Sequence, residues 1–248
     1  MHVRVIPMDG EDGAPTLRAD TLAALKEFLA EKSAASEREA REAQDAGATL
    51  LTAEDWQLSQ FWYSETTCRF LAAEVGRCAD GAGGGGGAPA PAVAAFLSAP
   101  SAFKAYRAAF PSAPAALLEF DERFSCFGAA FHRYDYKAPL ALPAALLGRC
   151  GVIMLDPPFL QRDCLAGFAE SVRALAAPGA RVLLATGAVQ LRAARELLGL
   201  RPTRAAVEHA DGRLSNPFKL FASANCEGGG VGGWDVEAEE AEAREGAA

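Results

Sequence analysis

Asp156 ends an apolar run, and the residues around it define a receptor before any element is assigned. Residues 151–160 read GVIMLDPPFL. The two prolines fix φ and remove two backbone N–H donors, so this loop is stiff and its backbone offers only carbonyl oxygens. Asp156 adds a carboxylate, the Pro157 carbonyl a second acceptor, and Phe159 an aromatic wall. A site built from acceptors and a π face suits a group that donates hydrogen bonds, and that group is an amine. The same contacts serve a lysine side chain or the exocyclic amino group of a flipped adenine, with Phe159 stacked on the base. The residues specify an amine and leave its carrier open.

Such a loop must be presented by a strand. In an open parallel sheet, ligands sit beyond the carboxyl ends of the strands, near the point where strand order reverses. Strand candidates recur at 92–97, 116–121, 131–136, 150–155, 180–186, near 203–208 and at 217–224, with helical segments near 102–109, 163–176 and 187–200. In the second of these helices Leu165, Phe168, Val172 and Leu175 share one face. Apolar strands separated by helices predict a doubly wound α/β domain with a mostly parallel sheet.

Upstream, Asp20 can cap a helix carrying Leu22, Leu25 and Leu29, and the segment from Ser36 is charged on all sides. Four aromatics crowd into WQLSQFWYSETT, residues 56–67, and Ser64 can cap a helix reaching about Arg77 with Phe70, Leu71 and Val75 inward. The expected organisation is a disordered stretch 1–19, N-terminal helices over 20–78, a low-complexity linker over 79–91, a sheet core over 92–226 and a disordered glycine and acid tail over 227–248. Residues 20–226 would form one domain.

The chain has 248 residues, a formal charge of −8 and a sequence pI near 5.0. That balance argues against a phosphate backbone as the main partner and suits a basic protein. Six cysteines, at 68, 78, 126, 150, 164 and 226, form no CxxC pair, and His2, His132 and His209 stand apart, so no metal is expected and the thiols read as reduced and mostly buried. No apolar run of membrane-spanning length and no leader-like segment is present, which makes a cytoplasmic protein the expectation.

DPPF resembles the [D/N]PP[F/Y/W] signature of amino-directed methyltransferases, which include adenine N6-methylases and protein methylases. Taken in order, WQLSQFWYS (56–64), LSAPS (97–101), EFDERF (119–124), YDY (134–136), DPPFL (156–160) and ATGA (185–188) resemble the elongation factor 1-alpha lysine methyltransferase family, also described as N6-adenine DNA methyltransferases. The likeness covers roughly residues 20 to 225. It implies a seven-stranded class I methyltransferase fold with an N-terminal helical extension, S-adenosylmethionine as cofactor, and a lysine of elongation factor 1-alpha as methyl acceptor.

It further implies roles for particular residues. Ser98, Ala99 and Pro100 would lie along the methionine part of the cofactor, in a first loop that lacks GxGxG. Asp121 would hold the ribose hydroxyls, Asp135 would lie near the adenine, and Asp156 would border both cofactor and acceptor. Asp156, Pro157 and Phe159 would carry the chemistry. Tyr63 and Ser64, each with a polar tip, would join Phe159 in lining the acceptor channel.

Overall fold

A computed structural model describes residues 60, 62–80, 93–210, 217–226 and 232–245. The expected helix after Asp20, the charged segment from Ser36, Phe61 and most of the linker lie outside the described residues. All of the described residues belong to one unit, Glu54–Ala248.

Burial explains why the sheet is parallel. Strands β1 (Val93–Leu97), β2 (Ala115–Glu119) and β4 (Cys150–Leu155) are covered on both faces, and every residue of β4 is buried. Strands apolar on both sides need helices above and below them. β3 (Phe131–Arg133), β5 (Ala176–Gly187), β6 (Arg201–Val207) and β7 (Phe218–Ala222) complete a seven-stranded sheet in the order β3-β2-β1-β4-β5-β7-β6. The first five strands run parallel, and β7 is antiparallel to both β5 and β6. This is the class I methyltransferase order. It reverses direction between β1 and β4, which pair in register with Phe96 beside Met154 and Leu97 beside Leu155.

Helices α1 (Glu65–Asp80) and α2 (Pro100–Ala109) cover one face, where Leu71, Val75, Phe103 and Tyr106 are buried. Phe96 packs on Phe103 and Tyr106 with ring centres 5.4 and 5.3 Å apart. On the other face α3 (Arg162–Leu175) buries Leu165, Phe168, Val172 and Leu175, the expected stripe, and α4 (Leu191–Leu198) follows β5. Each such side chain contributes roughly 1.5–3 kcal/mol relative to leaving it in water. Phe70, expected inward, is only half-buried.

The tail departs from expectation. Disorder over 227–248 does not hold for 232–245: Trp234 forms an antiparallel bridge with Thr203, and helix α5 (Val236–Glu245) follows. Glycine and acid composition predicts solvation, but Arg201 holds Glu239 through two bonds of 2.8 and 3.0 Å and lies 4.5 Å from the Trp234 ring centre. Lys219 holds Asp235. Basic residues of β6 and β7 thus pair with the acidic residues of this segment.

Candidate active site

Three strands end at one place. β4 delivers Asp156, whose amide bonds the Leu97 carbonyl at 3.1 Å and so extends the β1 to β4 ladder by one step. Pro157 is buried, Pro158 half-buried, and the Phe159 ring is 37% exposed at the rim, edge-on to Tyr136 at 6.1 Å. Asp156 keeps a partly open face, yet burial, with the nearby Glu119 charge adding to it, pushes its carboxyl up to about 8.

β1 delivers the first loop. Ser98 has φ 50°, the one non-glycine residue in the left-handed region among the described residues. That conformation costs on the order of 1 kcal/mol and is held by the Ser98 amide bond to Leu118 at 2.8 Å. Ala99 and Pro100 are buried, and Pro100 opens α2, where its missing N–H costs nothing. A loop without glycine therefore turns sharply at a serine.

β2 delivers two acids with different surroundings. Both Asp121 oxygens are engaged: Arg123 donates from its amide at 2.9 Å and from Nε at 3.0 and 2.9 Å, and Gln60 Nε2 donates at 2.9 Å. Arg123 also bonds Gln60 Oε1 at 2.9 Å. Burial raises the Asp121 pKa, but these bonds outweigh it and leave the group below the ordinary carboxylate range. Glu119, the last residue of β2, is 6% exposed and accepts the amides of Phe120 and Asp121 on one oxygen only. Burial pushes it up to about 7.

Gln60 and residues 62–64 border this edge as a strap. At one end Gln60 joins Asp121 and Arg123, and the Trp62 ring meets Phe124 edge-on at 6.1 Å. At the other, Tyr63 bridges His209, the Ser64 amide bonds Glu208, and the Ala210 amide bonds Trp62. The Tyr63 ring rests 4.9 Å from His209, which in turn meets Phe218 at 4.5 Å. The Tyr63 hydroxyl is buried beside Asp156; the two are close enough that each perturbs the other's proton, yet no well-aligned hydrogen bond satisfies the hydroxyl. Burial first, then the Asp156 charge, raises its pKa well above the usual phenol value.

The structure therefore brings Ser98, Ala99, Pro100, Asp156, Pro157 and Tyr63 to one end of the sheet, with Phe159 on its rim. Ser64 caps α1, accepting the Thr67 amide at 3.1 Å. Asp135 is half-buried after β3, where it accepts the Lys137 amide at 2.9 Å and closes a turn. Sequence reasoning missed Glu119 and His209. A carboxylate on the final residue of an apolar strand was a readable signal for the first; nothing local marked the second, which depends on a contact between residues 146 positions apart. Among the described residues there is no cluster suited to a metal ion, and no helix long and apolar enough to cross a membrane.

A sheet of this order, with an aspartate and two prolines at the end of β4 and acids at the end of β2, defines a class I methyltransferase. A family described as "Probable N6-adenine methyltransferase" matches residues 54–226. The chain is 39% identical over 222 residues to "Protein-lysine N-methyltransferase M142.8" of Caenorhabditis elegans, covering 87% of this chain and 97% of that one. It is 35% identical over 215 residues to human "EEF1A lysine methyltransferase 1", covering 86% and 94%. "Protein-lysine N-methyltransferase EFM5" of Saccharomyces cerevisiae is 30% identical over 239 residues, at 85% and 92% coverage. The chain belongs to the family of these lysine methyltransferases.

Proposed function

We propose that the chain is a cytoplasmic, S-adenosylmethionine-dependent protein-lysine N-methyltransferase acting on elongation factor 1-alpha. Near full-length kinship with proteins named for that activity supports the substrate. The observation that carries the chemistry is Asp156, a partly enclosed carboxyl whose proton affinity is raised toward that of an amine.

The residues fit the cofactor. Glu119 and Asp156 are both pushed toward their neutral forms, and the charge of Glu119 raises Asp156 further. A site that strains two acids in this way favours a cation. S-adenosylmethionine, when bound, supplies the methyl group on a positively charged sulfur. Glu119, with one oxygen not committed to the loop amides, is the better acceptor for vicinal ribose hydroxyls; Asp121, fully engaged by Arg123 and Gln60, anchors the strap. Ser98, Ala99 and Pro100 would lie along the methionine part of the cofactor, and Asp135 would border the adenine side.

Lysine arrives as an ammonium with a pKa of ~10.4 and must lose a proton before it can attack. Passing that proton to an ordinary aspartate near 3.9 costs about 9 kcal/mol, whereas passing it to Asp156 near 8 costs about 3 kcal/mol. Asp156 therefore holds the proton as well as orienting the nitrogen. The Pro157 carbonyl accepts a remaining N–H, the Tyr63 hydroxyl faces the same nitrogen, and Phe159 walls the entrance. Rate enhancement comes mainly from alignment and exclusion of water.

The test is mass spectrometry of elongation factor 1-alpha and of an adenine-rich DNA duplex after incubation with the protein and S-adenosylmethionine. The expected result is a lysine heavier by multiples of ~14 Da, one CH₂ equivalent per transfer. Methyl on the DNA alone would overturn the proposal in favour of adenine.

A further inference from the structure

Two cysteines that the methyltransferase reading does not use lie side by side. Cys78 sits in the last turn of α1, and Cys226 ends the short helical turn Ala224–Cys226 after β7. Both are fully buried, and their sulfurs are 3.8 Å apart although 148 positions separate them in the chain. Arg181 on β5 holds both backbones: Nη1 donates to the Cys78 carbonyl at 2.6 Å and Nε to the Asn225 carbonyl at 3.0 Å. Arg77 Nη2 reaches the Cys78 sulfur at 3.9 Å, and Ser223 Oγ lies 3.5 Å from the Cys226 sulfur. The other four cysteines have no such neighbour: Cys68 and Cys150 bond backbone carbonyls, Cys164 is in the core, and Cys126 is exposed.

We propose that Cys78 and Cys226 are a peroxide-sensitive dithiol that closes into a disulfide and staples α1 to the exit of β7. A disulfide needs its sulfurs about 2.05 Å apart, so the pair must approach by about 1.8 Å, within reach of side-chain rotation once the backbones are fixed. The Cys226 thiolate attacks one oxygen of hydrogen peroxide, the O–O bond breaks, and a sulfenic acid forms with release of water after protonation. The Cys78 sulfur then attacks that sulfur, the S–O bond breaks, and a second water leaves with the Cys78 proton. Two thiols are oxidised by two electrons and one peroxide is reduced.

The surroundings favour this order of events. The bond donated by the Cys78 thiol holds Cys226 below the ordinary thiol range, against the opposing effect of burial, while the same bond and burial raise Cys78. Two nearby guanidinium groups and a resolving thiol supply the electrostatics of an oxidisable pair, and because both sulfurs are buried, peroxide reaches them only when the end of α1 or the turn after β7 opens locally. The antiparallel course of β7 puts Ser223 beside Val182, well before the Leu184 and Gly187 end of β5. The link therefore forms at the opposite end of the sheet from Asp156. It constrains a long loop and should stabilise the chain without distorting the site.

The experiment treats the full-length chain with hydrogen peroxide, blocks free thiols with N-ethylmaleimide, and maps peptides by mass spectrometry alongside thermal unfolding. The expected result is one joined peptide pair containing Cys78 and Cys226, lighter by about 2 Da than the separate thiol peptides and reversed by dithiothreitol. Tm should rise on the order of 5–15 °C. Cys78→Ser or Cys226→Ser should lose link and rise together, and Cys126→Ser should keep both. Recovery of Cys78 and Cys226 as separate, blocked or over-oxidised peptides, under conditions that oxidise exposed Cys126, overturns the proposal. The wild-type chain carries that readout whether or not a serine variant folds.

Discussion

Asp156→Asn isolates the titratable proton of the candidate site with little change of volume. The carboxyl has a folded-state pKa of about 8 against an ordinary value near 3.9. A carboxyl raised in the fold costs stability wherever the unfolded chain has already released the proton: its contribution is intact below the unfolded pKa, declines above it, and is fully lost as pH rises through about 8. Asparagine has no such loss. Between pH 5.5 and 8 the full shift would open a gap of about 3 kcal/mol in favour of the variant, by the linkage between proton binding and stability. Asp156 is partly open to solvent, which reduces the effect to about 1–2 kcal/mol, or roughly 3–8 °C in Tm for a chain of this size. Removing the charge also relieves Glu119, which acts in the same direction. Differential scanning calorimetry of both proteins at pH 5.5, 7 and 8 measures the gap, because titrations other than those of Asp156 and the coupled Glu119 are shared. Methyl transfer should be abolished in the same variant. A variant less stable than the wild type at pH 8, a gap that does not widen with pH, or full activity would refute the reasoning.

Glu119→Gln should weaken S-adenosylmethionine binding about tenfold by calorimetry, the difference between a charge-assisted and a neutral hydrogen bond. Wild-type affinity should strengthen as pH rises through about 7, where Glu119 ionises, and the variant should lack that step while keeping the one near 8 from Asp156. Asp121→Ala leaves Arg123 and Gln60 without their shared carboxylate and should cost about 1–3 kcal/mol in urea denaturation. Gly167→Ala improves helix propensity by about 1 kcal/mol, but its Cβ would run into the Tyr136 carbonyl oxygen. The collision should win, with a net loss of about 1–3 kcal/mol and reduced turnover through displacement of Tyr136 from Phe159.

Local patterns made the sheet readable. Apolar strands ending in recognisable turns, and the four-residue stripe of α3, are carried by residues close in sequence, so periodicity finds them. The DPPF loop is legible for the same reason, since proline acts on its own backbone. What escaped depends on distant partners. Asp121 reads as a free acid until Gln60, 61 positions away, is seen to bond it. The tail reads as solvated until Arg201 and Lys219 meet it. Ser64 shows both behaviours: its cap was local and visible, and the same hydroxyl that was expected to line the channel is engaged by the Thr67 amide.

The ordered tail has a consequence for colloidal behaviour. β6 ends the sheet, and a terminal strand normally presents unpaired N–H and C=O groups on which another chain can assemble. Here the Arg204 amide bonds the Gly233 carbonyl at 2.9 Å, and the Asp235 amide bonds the Pro202 carbonyl at 3.0 Å, so residues 233–235 occupy that margin before a neighbour can. A chain shortened after Cys226 would leave the margin open and should self-associate on concentration, even with the candidate site intact.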